Sequence, residues 1–172
     1  GGSGAGGEAP DLEAYVAAQV TLGDHLGEQL ALAVSDPVER LIGQSIIDSI
    51  DDAGYLSESV EEIADRLGAS VAIVAALLAK IQTFDPAGVG ARNLAECLAI
   101  QLREKNRLDP AMQALLDNLE MLARRDRAGL MQVCGVDAED LTDMIAELRR
   151  LDPKPGANYD DAPAPAVVPD VL

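Results

Sequence analysis

Residues 84–102 read FDPAGVGARNLAECLAIQL, and this stretch divides the chain into two helical parts. Asp85-Pro86 ends a helix, because the residue before a proline is driven out of the α region. Gly88 and Gly90 supply the backbone freedom for a tight turn. Arg92-Asn93 then opens a new helix that runs to about Glu104 and carries Leu94, Leu98, Ile100 and Leu102 at helical spacing. A rigid elbow between helical units is the expectation.

Upstream of the elbow, residues 1–10 (GGSGAGGEAP) have no apolar period and read as a flexible linker. From Asp11, a helical period runs through Leu12, Tyr15, Val16, Leu22, Leu26 and Leu30, weakened by Gly23 and Gly27. Asp36-Pro37, with Glu39 as a capping-box partner, starts a second helix. Its apolar face is Leu41, Ile42, Ile46, Ile47 and Ile50, and it stops at DDAG, residues 51–54. A short helix over 59–68 and a longer one capped by Ser70, with Val71, Val74, Leu77, Leu78 and Ile81 on one face, give a helix-turn-helix outline.

That outline recurs 67 residues later. Ile63, Leu67 and Gly68 fall on Leu130, Cys134 and Gly135. Ser70 falls on Asp137, Ile81 on Leu148, and Phe84-Asp85-Pro86 on Leu151-Asp152-Pro153. Two similar helical units therefore follow one another. Between them, a helix opened by Asp109-Pro110 is predicted to carry Met112, Leu115, Leu116, Leu119 and Leu122. After Leu151, the segments DPKPG and APAPAVVPDVL cannot continue a helix and read as an extended tail leading onward. The fold class is all-α: an N-terminal subdomain over 11–90, a C-terminal one over 91–156, and a Pro-rich tail over 157–172. The chain reads as cut at both ends.

Composition narrows the chemistry. Thirty acids against thirteen Lys and Arg leave a net charge of -17, which opposes sequence-independent DNA binding. Apolar residues at 48% are enough for a core. Phe84 and three tyrosines are too few aromatics to stack single-stranded nucleic acid. No uncharged apolar run of about 18 residues is present, so no membrane span is expected. Cys97 and Cys134, far apart and inside apolar patterns, read as reduced buried thiols. His25, the lone histidine, reads as an exposed or half-buried helix residue. No zinc spacing, P-loop or nucleophile motif occurs, so no catalytic residue, metal or cofactor is assigned. Neither second helix reads DNA well: SVAIVAALLAKIQ (70–82) has Lys and Gln only near its end, and DAEDLTDMIAELRR (137–150) opens with acids. The acidity is uneven, net -12 over residues 1–90 and -5 over 91–172, and suits a partner with a basic or mixed surface.

The elbow closely resembles the corresponding stretch of the enhancer-dependent bacterial sigma factors, the sigma-54 class. TLGDHLGEQL (21–30), SIIDSIDDAGYL (45–56), IADRLGAS (63–70), LDPKPG (151–156) and VVPDVL (167–172) resemble that family's core-binding region in the same order, so the likeness covers about residues 12–172. The resemblance implies docking on the β and β′ subunits of core RNA polymerase, including the β flap, by a cytoplasmic, monomeric, non-catalytic module. The family's Gln- and Leu-rich amino-terminal segment and its carboxy-terminal DNA-binding part are not in this sequence. DNA contact and response to an ATP-driven activator are therefore expected of the full-length protein only. Gly54, Tyr55, Leu56, Phe84, Asp85, Pro86, Gly88, Val89, Ala91 and Arg92 match the family's motifs and are expected to act at the elbow or at the partner interface. Arg92 is the only charged elbow residue expected to find a polar partner, either within the domain or on the polymerase. Leu94, Cys97 and Leu98 are expected in the core. The rivals are a helix-turn-helix DNA-binding regulator, a metal- or nucleotide-dependent enzyme, and an acidic adaptor unrelated to polymerase.

Overall fold

A computed structural model describes residues 20–159. Their architecture is all-α, with nine α-helices, a terminal 3-10 turn and no strand beyond two isolated bridges. Helix α1 (Leu22–Ala33) is capped by the Thr21 hydroxyl, which accepts from the Asp24 N–H, and α2 (Pro37–Asp48) by the Asp36 carboxylate, with Pro37 in the first turn. The two pack so closely at Gly43 that a Cβ there would lie 2.7 Å from a Leu30 methyl. Helix α3 (Val60–Leu67) has a full capping box, in which Ser59 accepts from the Glu62 N–H and Glu62 from the Ser59 N–H. Gly68, left-handed at φ +67°, turns the chain into α4 (Val71–Ile81), capped by Ser70.

Beyond the elbow, α5 (Leu94–Glu104) is capped by Asn93 and α6 (Pro110–Asp117) by Asp109. α7 (Leu119–Ala123) leads to α8 (Arg127–Cys134), which ends at left-handed Gly135, and α9 (Ala138–Arg149) is capped by Asp137. The backbone keeps the 67-residue offset: α8 and α9 start 67 residues after α3 and α4, and both turns use a left-handed glycine.

Buried side chains gather in two large clusters. One runs from Leu22 to Val89 through α1–α4, the other from Leu98 to Leu151 through α5–α9. A small third cluster of Ala91, Cys97 and Ile100, with Tyr55 against it, belongs to the elbow.

Four expectations are corrected. The helix predicted over 110–122 breaks at Asn118 (φ -129°, ψ 40°), whose side-chain amide donates to the Ala114 carbonyl at 2.8 Å and so competes with the helical ladder. Leu41, assigned to the apolar face of α2, is 71% exposed, and Val71 and Leu94 are exposed at the starts of their helices. The tail does not begin extended at 157: Pro155–Tyr159 coil into a 3-10 turn that returns to α1. Thr21 caps α1, so the long helical period does not run unbroken through that point. The rest of the tail (160–172) and the period from Asp11 to Gln19 lie outside the described residues.

Candidate functional site

Three segments distant in sequence meet at the elbow. Asp51 builds the first: its carboxylate accepts from the backbone N–H groups of Ala53 and Tyr55, both at 3.0 Å, in an Asx-type turn. That turn aims residues 54–56 at the second segment. The Gly90 N–H donates to the Gly54 carbonyl at 2.8 Å and the Leu56 N–H to the Ala91 carbonyl at 2.9 Å, so Tyr55 and Ala91 form a short parallel bridge. The third segment closes from the far end of the chain. The Tyr55 hydroxyl donates to the Pro153 carbonyl at 2.7 Å, and the Gly156 N–H to the Ala53 carbonyl at 2.9 Å. A Cβ on Gly156 would sit 2.6 Å from the Asp52 carbonyl oxygen, so only glycine lets these backbones touch.

The expected site residues are thus brought together, mostly beneath the surface. Gly54, Leu56, Phe84, Gly88, Val89 and Ala91 are buried, Tyr55 and Pro86 half-buried, and only Asp85 and Arg92 exposed. Arg92 bonds within the chain: its guanidinium grips Glu96 at 2.7 and 3.1 Å, and its N–H donates to the same carboxylate at 2.7 Å. Burial works against the Glu96 charge, but these bonds outweigh it and hold the carboxyl below its ordinary range. Burial, then the neighbouring Cys97, pushes the Tyr55 hydroxyl up, and burial does the same to the Cys97 thiol. Tyr55 therefore stays a neutral donor to Pro153. Both cysteines are free, Cys97 buried and Cys134 half-buried. Leu98 lies in the second core as expected.

The two Asp-Pro corners share an anchor that no motif announces. At the first, the Gln29 side chain of α1 accepts from the Asp85 N–H at 2.9 Å and donates to the Asp85 carbonyl at 2.7 Å. At the second, Gln101 of α5 accepts from the Asp152 N–H at 2.9 Å and donates to its carbonyl at 2.6 Å. A primary amide suits this task because it offers a donor and an acceptor side by side. Asp85 also finds partners that were not expected. His25 Nε2 lies 2.8 Å from its carboxylate, and the Tyr159 hydroxyl donates to it at 3.1 Å while the tyrosine ring stacks on His25. His25 is a half-buried helix residue, but a partnered one. The glutamines stand 72 residues apart, not 67, so the repeat offset could not pair them. Only the repeated Asp-Pro hinted at the corners.

Among the described residues, no three metal-binding side chains converge, and no helix is long and apolar enough to cross a membrane.

Residues 11–172 match the family model described as "Sigma-54 factor, core binding domain". The chain is 58% identical over 171 residues to RNA polymerase sigma-54 factor 2 of Bradyrhizobium diazoefficiens, covering 99% of this chain and 32% of that protein. It is 57% identical over 172 residues to the RNA polymerase sigma-54 factor of Azorhizobium caulinodans, covering all of this chain and 34% of that one. With the factor from Caulobacter vibrioides it shares 49% identity over 173 residues, 99% of this chain and 35% of that protein. The chain spans about a third of the length of these curated relatives. With the elbow motif, the double helical unit and a family match from residue 11 to residue 172, the chain belongs to the sigma-54 core-binding-domain family.

Proposed function

We propose that this chain is the docking module of a sigma-54-type initiation factor, binding bacterial core RNA polymerase by surface complementarity and without catalysis. The observation that carries this reading is the match to the core-binding domain over residues 11–172. The finer picture is contact with the β and β′ subunits, the β flap included, by a monomer in the cytoplasm. Residues 11–90 and 91–156 act in it as two helical units, and the elbow residues set the angle between them. The burial of six of the ten favours that structural role, and so does the Arg92–Glu96 pair.

Promoter reading and activator response are assigned to the remaining length of such factors. Within this chain, α4 offers a lone Lys80 in its last turn, and α9 opens with Glu139 and Asp140 behind an Asp137 cap. Carboxylates at the start of a helix repel phosphate, and base reading in the major groove needs Arg, Lys, Asn or Gln there.

Size-exclusion chromatography and calorimetry with bacterial core polymerase test the reading, with promoter duplex alone in parallel. A one-to-one complex with polymerase and none with DNA is expected. A folded helical sample that fails to bind polymerase overturns it. Affinity for DNA that falls steeply with salt returns the helix-turn-helix regulator to the front.

A further inference from the structure

Every substantial helix–helix contact lies within α1–α4 or within α5–α9, so chain segments rather than packed helices carry the junction of the two units. Two such segments cross it. One is the elbow, where the Gly90 N–H donates to the Gly54 carbonyl and the Leu56 N–H to the Ala91 carbonyl. The other is the Pro155–Tyr159 turn, which the residue pattern divided between the second unit and the tail.

That turn is buried against the first unit and not against its own. Pro155 is fully buried, and a Cβ on Gly54 would lie 3.1 Å from its Cγ. Gly156 donates its N–H to the Ala53 carbonyl at 2.9 Å. Tyr159 packs on the core formed by α1–α4, its ring stacked on His25 with centroids 5.2 Å apart, its hydroxyl donating to Asp85 at 3.1 Å. Burial, and then the Asp85 carboxylate, push that hydroxyl above its ordinary value, so it stays a donor at neutral pH. None of these partners belongs to α5–α9.

The cover is not a tight one. A cavity of about 170 Å³ lies beside Gly156 and Tyr159, walled by Leu22, Leu26, Ile47 and Ile50. A segment that seals a core without filling the space beneath it opens at lower cost than the core itself unfolds. We propose that residues 153–159 are a releasable strap of the first unit, which makes residues 91–152 an insert held at both ends. The second unit then ends at 152 and not at 156. A pull arriving along the residues after Tyr159 loads α1 and the 51–56 turn before it reaches α9. Release of the strap opens that end of the first unit and leaves the second intact. The device does not depend on polymerase docking.

Hydrogen exchange read peptide by peptide on the full 172-residue chain tests the strap. Tyr159→Ala removes its clasp, and Gly156→Ala lifts it, because the added Cβ would lie 2.6 Å from the Asp52 carbonyl oxygen and 2.7 Å from the Gly54 nitrogen. Both variants should speed exchange about tenfold or more in residues 22–33 and 49–56, while residues 110–149 keep their native rates. Tyr159→Phe keeps the ring on His25 and loses only the bond to Asp85, so a smaller acceleration in the same two peptides is expected. If circular dichroism shows Gly156→Ala to be unfolded, the two Tyr159 variants decide, since that side chain is only half-buried. Faster exchange in residues 110–149, with or without the first unit, places the turn in the second unit and overturns the strap. Unchanged exchange in both regions overturns it equally.

Discussion

Phe84-Asp85-Pro86 and Leu151-Asp152-Pro153 are two corners held by the same kind of clamp, although only Asp85-Pro86 is cis, and they sit in different surroundings. In each, an aliphatic or aromatic side chain seals a core, and a helix-borne glutamine holds both backbone polar groups of the aspartate. The first corner is open: the Asp85 side chain is 70% exposed, and His25 and Tyr159 share its carboxylate. The second is sealed: Gln101 is 5% exposed and lies 3.4 Å from the buried Cys97 sulfur. A hydrogen bond that water can replace stabilises little, whereas an unmade one in a dry site costs the full desolvation penalty. The same pair of bonds therefore has unequal worth at the two corners.

The largest effect should come from Gln101→Ala. It strips the half-buried Asp152 N–H of its side-chain acceptor and leaves the Asp152 carbonyl only the weak Cys97 thiol donor at 3.7 Å, and a loss of about 2 kcal/mol in urea unfolding is expected. Cys97 should also become easier to alkylate in the native protein, because access limits its reaction now. A loss below that of the equivalent change at Gln29 would break the comparison. Next comes Gly88→Ala, in the backbone that leads out of the first corner. Gly88 has φ +96°, and its added Cβ would lie 2.8 Å from both Cys97 Sγ and Gln101 Nε2. Left-handed strain and the contact together should cost about 1–3 kcal/mol. Because the clash falls on the second corner's own anchor, Gly88→Ala combined with Gln101→Ala should cost less than the two separate losses added.

Local chemistry made much of this fold legible. The Ser59, Ser70, Asp109 and Asp137 caps, the glycine stops and the 3.6-residue period all point the same way as the final packing. The elbow was legible as a turn, since Asp-Pro followed by two glycines admits little else. What closes it was not. Tyr55 reaches Pro153 across 98 positions and Gln101 reaches Asp152 across 51, and no local preference encodes a partner at that range. Leu41 was misplaced for the opposite reason. Its spacing fits the apolar stripe of α2, but a stripe does not say where the neighbouring helix ends, and α3 and α4 leave that turn uncovered. Asn118 shows a side chain overruling an apolar period.

The open corner predicts a milder response. Gln29→Ala removes the same two bonds, but water reaches Asp85, and His25 and Tyr159 still hold its carboxylate. A loss below about 1 kcal/mol is expected. A loss equal to that of Gln101→Ala would mean that the clamp itself, and not its dryness, sets the energy. The double variant Gln29→Ala/His25→Ala should cost more than the two singles summed if each group compensates for the other.

The smallest effect lies at the rim, where Arg92 meets Glu96, and pH separates it from simple truncation. The Arg92 side chain is 55% exposed, so solvent screens the pair and Arg92→Met should cost no more than about 0.5 kcal/mol at neutral pH. Glu96 is held below its ordinary value in the folded chain. A carboxyl lowered on folding contributes stability above its unfolded pKa and loses it as pH falls through the folded one. The gap between native and Arg92→Met stability should therefore be level near neutrality and shrink below about pH 4.5, the ordinary range for glutamate. A gap that persists unchanged at pH 3 would show that Arg92 acts through its hydrocarbon stem against the elbow and not through its charge. The rim would then resemble the sealed corner, where packing and dryness decide, more than the open one.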